Sequence, residues 1–178
     1  MIKDIEKMLM SEQEIKNMIK KLGEQISNDY IGRTPVMICI LKGGFIFLSD
    51  LVRNISTNVE VDFMSLSSYG DSTKSSGVVK IKKDIDVDIS GRDVIIVEDI
   101  VDSGLTLDYI NSYFVKHKPS SIKICALLDK PNAHKINIKI DYVGFEVGNE
   151  FVVGYGLDFA QKYRNLPYIG VLKKEIYS

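Results

Sequence analysis

Four apolar residues, Val94-Ile95-Ile96-Val97, run directly into Glu98-Asp99. Ile100-Val101 then leads into Asp102-Ser103-Gly104-Leu105-Thr106. The apolar run reads as a strand buried on both faces. Beyond Thr106, Leu107, Tyr109, Ile110, Tyr113 and Phe114 recur with helical spacing, which predicts a helix over 105–117. Three acids and a Ser-Gly-x-Thr turn therefore fall at the carboxyl end of a strand, where a helix begins. In an open α/β sheet this is where ligands bind. The free N–H groups and positive dipole end of the helix suit a phosphate. Glu98 and Asp99 suit sugar hydroxyls or a hydrated Mg²⁺. A capped helix after a core strand would use Asp102 or Ser103 as its cap. That reading leaves three carboxylates within five positions unexplained.

The rest of the chain alternates in the same manner. Ser11-Glu12-Gln13-Glu14 is a capping box, and Ile15, Met18, Ile19, Leu22 and Ile26 form the apolar stripe of a helix ending near Tyr30. Val36–Leu41 reads as a buried strand, Lys42-Gly43-Gly44 as a turn, and 45–54 as a helix. Strands are expected over 59–67 and 78–83, around a polar loop at 70–77. Further strands are expected over 121–128, 142–145 and 151–154. Strand-helix alternation of this kind predicts one α/β domain over 1–178, with a mostly parallel central sheet flanked by helices.

Bulk properties exclude several classes. Lys and Arg total 23 against 24 Asp and Glu, a net charge of −1, so nothing marks a polyanion-binding surface. Cys39 and Cys125 both lie inside apolar runs and read as buried free thiols of a reducing compartment. His117 and His134 stand apart and no C-x-x-C occurs, which argues against a zinc site. The longest purely apolar run is too short to span a membrane, and MIKDIEKMLM carries acids in place of a signal-peptide core. A soluble, cytoplasmic protein is expected.

The segment from Glu98 to Thr106 resembles the phosphoribosyl-pyrophosphate signature of the purine and pyrimidine phosphoribosyltransferases: two acids, then Asp-Ser-Gly-x-Thr on a strand-turn-helix frame. The resemblance extends in order from about Val36 to Ile169 and implies a type I phosphoribosyltransferase-like fold, with a small hood built from the C-terminal segment. It implies that Glu98 and Asp99 hold the ribose hydroxyls, directly or through Mg²⁺, and that Ser103, Gly104, Leu105 and Thr106 hold the 5′-phosphate. Asp102 would be the general base or acid at purine N7. Leu105 stands where many relatives carry a polar or basic residue, which is harmless if only its backbone N–H meets phosphate.

Other stretches take their roles from the same resemblance. Lys42 and Gly43, at a Lys-Gly step that alone could be an ordinary strand-to-helix turn, would face pyrophosphate across a cis Leu41–Lys42 peptide. Arg164 would also bind pyrophosphate. Ser68 and Tyr69 would open a lid over the reacting sugar, although such a stretch alone reads as a hairpin tip. Lys130, Phe151 and Val152 are similar to the purine pocket of one branch, the hypoxanthine-guanine phosphoribosyltransferases. In that pocket a lysine donates to a 6-oxo group, an aromatic ring stacks on the base and the following backbone reads its edge. Asp158 matches an acid reached by a second Mg²⁺. The implied substrates are phosphoribosyl pyrophosphate and a 6-oxopurine, with Mg²⁺ as cofactor. A homo-oligomer, dimer or tetramer, is expected, with no nucleic-acid or membrane partner. A regulator that keeps the fold to sense phosphoribosyl pyrophosphate while binding RNA or DNA is the competing class. One helix before the core is too little for a helix-turn-helix domain, and no basic stripe is evident.

Overall fold

The computed structural model describes residues 1–68 and 79–178. Tyr69, the 70–77 loop and Val78 lie outside the described residues, and Ser68 enters only as the last residue of its strand.

Chain order is β1 (Ile5–Met10), α1 (Glu12–Asp29), β2 (Val36–Leu41), α2 (Phe45–Val52), β3 (Glu60–Ser68), β4 (Val79–Lys83), β5 (Asp93–Val101), α3 (Leu105–Val115), β6 (Ser121–Asp129), β7 (Tyr142–Glu146), β8 (Val152–Val153), β9 (Ile169–Leu172) and α4 (Lys174–Tyr177). Six strands form a central sheet in the order β4-β3-β2-β5-β6-β7. Every pair in it is parallel except the edge pair β3–β4. Side chains alternate across a strand, so the apolar runs serve two layers. Met37, Cys39, Ile95 and Val97 face α1 and α2, packing with Ile15, Ile19, Leu22, Phe47 and Leu51. Ile38, Ile40, Val94 and Ile96 face α3, packing with Leu107, Ile110 and Phe114. Both faces are covered, which is why β2 and β5 read as unbroken apolar runs.

The ends of the elements follow local chemistry. At the start of α1, the Glu14 N–H donates to Ser11 Oγ (3.3 Å) and the Ser11 N–H donates to the Glu14 carboxylate (2.8 Å). The helix expected over 45–54 stops at Val52. Arg53 and Asn54 then turn their side chains back onto the carbonyls of Ser49 and Asp50. The helix expected to reach His117 stops at Val115, before the left-handed Lys118 and Pro119. Asp62 of β3 is buried and accepts from the N–H groups of Phe63 (2.7 Å), Asp86 (2.6 Å) and Val87 (3.0 Å), fixing the segment that leads to β5.

The hood corrects one expectation. It is a three-stranded antiparallel sheet, β1-β9-β8, so its outer strand comes from the N-terminal segment, not from the C-terminal segment alone. β1 buries only Met10 and carries Glu6 and Lys7, so its composition does not announce a strand. No helix among the described residues is long and apolar enough to cross a membrane.

Candidate active site

At the carboxyl end of β5 lies a cleft of about 330 Å³, lined by the tip of β2, by Gly43, and by most of the segment from Glu98 to Leu107. Glu98, Asp99, Asp102, Ser103, Gly104 and Thr106 all reach it. The turn into α3 needs Gly104. Its φ is +79°, and a Cβ there would press on the Ile136 and Ile138 side chains at 3.1 and 3.3 Å. The Leu105 N–H donates to Ser103 Oγ at 3.4 Å, so this position contributes a backbone donor at the helix start.

Glu98 is 8% exposed, and burial pushes its carboxyl well above the usual range. The adjacent Asp99 charge pushes it further in the same direction. A buried acid in that condition is stabilised by any cation or hydroxyl donor that enters the cleft. Asp99 leans over the next loop: a Cβ on Gly43 would fall on the Asp99 carboxylate. The Leu41–Lys42 peptide is cis, as the resemblance implies.

A second group gathers beside the cleft. Asp158 Oδ1 pairs with Arg164 at 2.7 Å, and Asp158 Oδ2 accepts from the Gln161 N–H at 2.8 Å. Arg164 also donates to the Gly156 carbonyl (2.7 Å) and to Gln161 Oε1 (3.2 Å). Lys42 Nζ approaches that same Gln161 oxygen at 3.5 Å. This group abuts the cleft, because a Cβ on Gly156 would strike the Gly43 carbonyl. Tyr155, Ala160, Gln161 and Tyr163 hold left-handed backbone conformations here. Such conformations persist where the surrounding structure over-determines them, as at ligand clamps.

Lys130 follows β6, and its N–H donates to the Val101 carbonyl (2.9 Å) at the edge of the cleft. Asp129 is buried and pairs with His134 Nε2 at 2.7 Å, closing the short 130–133 turn that carries the lysine. The Lys135 N–H then donates to the Ser103 carbonyl (3.0 Å), tying this segment to the phosphate-type turn. Phe151 and Val152 stand apart from the cleft lining, on the hood. Phe151 meets Phe159 edge-on at 5.7 Å and stacks on Tyr177 at 4.8 Å with 25° between the rings.

Sequence reasoning missed Gln161, His134 and Tyr177. None sits in a motif: Gln161 and Tyr177 gain their places when segments apart in sequence meet, and His134 reaches back five residues to Asp129. Among the described residues no three His, Cys, Asp or Glu side chains form a metal cage. Glu98 and Asp99 offer hard oxygen donors at an open cleft. That suits Mg²⁺ carried in with substrate phosphates, a metal usually held by one or two carboxylates.

A strand-end acidic pair with a phosphate-type helix start defines an α/β ligand site at the sheet's carboxyl edge. The phosphoribosyl transferase domain model matches residues 6–160, and the chain belongs to this family. It is 56% identical over 174 residues to the hypoxanthine-guanine phosphoribosyltransferase of Bacillus subtilis, covering 98% of this chain and 97% of that protein. It is 52% identical over 176 residues to the enzyme of the same name from Streptococcus thermophilus, covering 99% and 98%. A crystal structure of a hypoxanthine phosphoribosyltransferase from Staphylococcus aureus superposes with a TM-score of 0.96 at 47% identity, covering 99% of this chain and 96% of that one.

Proposed function

We propose that this chain transfers the 5-phosphoribosyl group from phosphoribosyl pyrophosphate to N9 of hypoxanthine or guanine, releasing pyrophosphate. The observation that carries this reading is the cleft that gathers Glu98, Asp99, Asp102 and the Ser103–Thr106 turn at one strand end, in a chain with near full-length hypoxanthine-guanine phosphoribosyltransferase relatives.

The N–H groups at the start of α3, with the Ser103 and Thr106 hydroxyls, hold the 5′-phosphate. Glu98 and Asp99 hold the ribose hydroxyls, directly or through Mg²⁺. The C1′–oxygen bond to pyrophosphate breaks as the C1′–N9 bond forms, and Asp102 takes the proton that leaves purine N7. Carboxylates at this end of the cleft also steady positive charge on the sugar. Lys42, Gly43 and Arg164 receive the pyrophosphate. Glu98 and Asp99 would hold Mg²⁺, which would supply charge neutralisation of that leaving group, and Asp158 would serve a second ion. Lys130 donates to the 6-oxo group, Phe151 stacks on the base and the Val152 backbone reads its edge. A lid opened by Ser68 and Tyr69 excludes water, which would intercept the sugar cation.

We further read the protein as a cytoplasmic homo-oligomer with no nucleic-acid or membrane partner. The test is an ultraviolet assay of hypoxanthine, guanine, xanthine and adenine, each with phosphoribosyl pyrophosphate and Mg²⁺, with products identified by chromatography. Formation of IMP and GMP is expected, and excess chelator should abolish it. Absence of both nucleotides would overturn the reading, and full activity in chelator would overturn the Mg²⁺ assignment.

A further inference from the structure

Phe151 packs into the hood, outside the cleft lining, and its ring is not alone. Its carbonyl accepts from the Leu172 N–H at 2.8 Å, which pins the start of β8 to the end of β9. β9 runs on into α4, whose start is fixed by the Lys173 N–H donating to the Asp4 carbonyl at 2.9 Å. Ile176 packs into the hood's own apolar cluster with Val153 and Leu172. α4 thereby delivers Tyr177 onto one face of the Phe151 ring, 25° from parallel and 4.8 Å away. A stacked Tyr177 occupies one face of the Phe151 ring, so a base can stack only on the other.

We infer that Tyr177 is a positioning residue for the purine: it backs the Phe151 ring and so holds the surface on which the base stacks. The inference rests on the reading that Phe151 stacks on the base. A ring held by a stacked neighbour has little rotamer freedom left to lose when ligand arrives. Offset-stacked pairs also carry a preference beyond buried area. The Tyr177 hydroxyl plays no part in this, since the stack needs only the ring.

The expected signature is selective. Tyr177→Ala and Tyr177→Leu should each raise KM for hypoxanthine and guanine about 3- to 10-fold, the range an aromatic pair supplies. KM for phosphoribosyl pyrophosphate and kcat should stay within about twofold, because the phosphate turn and Asp102 are on other elements. Tyr177→Phe should restore the wild-type purine KM. A double-mutant cycle with Phe151→Leu separates the two layers of the reading. Phe151→Leu should raise the purine KM by itself, and adding Tyr177→Ala to it should then change nothing further. An unchanged purine KM in the Tyr177 variants would overturn the inference, as would an equal rise in both backgrounds. A fall would overturn it too, because Tyr177 would then be occupying the place of the base. A parallel rise in KM for phosphoribosyl pyrophosphate would mean a generally loosened hood and would likewise overturn it. If Phe151→Leu leaves the purine KM unaltered, the stacking role of Phe151 fails and the inference falls with it.

Discussion

Gly43→Ala tests the coupling between the loop after β2 and the acidic pair of β5. A Cβ at Gly43 would occupy the space of the Asp99 carboxylate, so one of them must move. Rotating Asp99 off its preferred geometry costs about 0.5–1.5 kcal/mol, and overpacking of this kind costs about 1–3 kcal/mol in stability. Catalysis should suffer more than stability. A misplacement of about 1 Å in a reacting constellation can cost about 10²-fold, and Asp99 would be displaced by about that much. The expected result is a thermal midpoint lowered by a few degrees, with kcat/KM for phosphoribosyl pyrophosphate reduced about 10²-fold. The assay is ultraviolet detection of IMP formation at saturating hypoxanthine. A companion cycle with Asp99→Ala removes the obstructed group. Gly43→Ala should then add little to the loss that Asp99→Ala already causes. Wild-type efficiency in Gly43→Ala would refute the steric argument, and so would an equal loss with and without the Asp99 carboxylate.

Four other outcomes are expected. Asp102→Asn should retain substrate binding but lose kcat by about 10²–10⁴-fold, read from steady-state kinetics alongside hypoxanthine affinity, because an amide cannot take the N7 proton. Burial pushes the Cys39 thiol up to about 12, with the Glu98 and Asp99 charges adding to it, and Cys125 is raised by burial alone. An Ellman titration at pH 8 should therefore find both thiols unreactive in the folded protein and two reactive after denaturation. His134→Ala should raise the purine KM severalfold with little change in KM for phosphoribosyl pyrophosphate, because the Asp129–His134 contact closes the turn carrying Lys130. Burial raises the Asp62 carboxyl, but the N–H donors of Val87, Phe63 and Asp86 outweigh it and leave the group below its usual value. Its stabilising contribution is thus present above an unfolded value of about 3.9 and is lost as pH falls through the folded value. Unfolding midpoints between pH 6 and pH 3 should fall less steeply in Asp62→Asn than in wild type.

The parts of the fold legible from sequence were those in which every residue of an element shares one burden. β2 and β5 are buried on both faces and read as apolar runs, and α1 announces its own start through Ser11 and Glu14. The hood was harder. β1 exposes three consecutive residues of its six and β9 is four residues long with a glycine inside, so neither carries a period-2 signal of useful length. The Glu98–Thr106 segment was readable because strand, turn and helix start are contiguous. The cluster around Gln161 was not. Lys42 and Gln161 are 119 residues apart, and their approach depends on Gly156 packing against Gly43. Phe151 was assigned its role by resemblance, whereas its stack on Tyr177 depends on a helix that follows β9 and has no motif of its own.

In the proposed function, the phosphate turn after β5 and the lysine after β6 serve one reaction on a 6-oxopurine. The most direct measurement is the ratio of catalytic efficiencies for hypoxanthine and adenine, in wild type and in Lys130→Ala and Lys130→Gln. An ammonium offers three donors and no acceptor, so it pairs with a 6-oxo group and opposes a 6-amino group. A site built to bond one group can reject an analogue lacking it by about 10⁴–10⁵-fold. Wild type should prefer hypoxanthine by a margin of that order. Lys130→Ala should narrow it by losing hypoxanthine use, and Lys130→Gln should narrow it further by admitting some adenine through its added acceptor. An unchanged ratio in both variants would contradict the claim, leaving Lys130 a solvated lysine at a strand end.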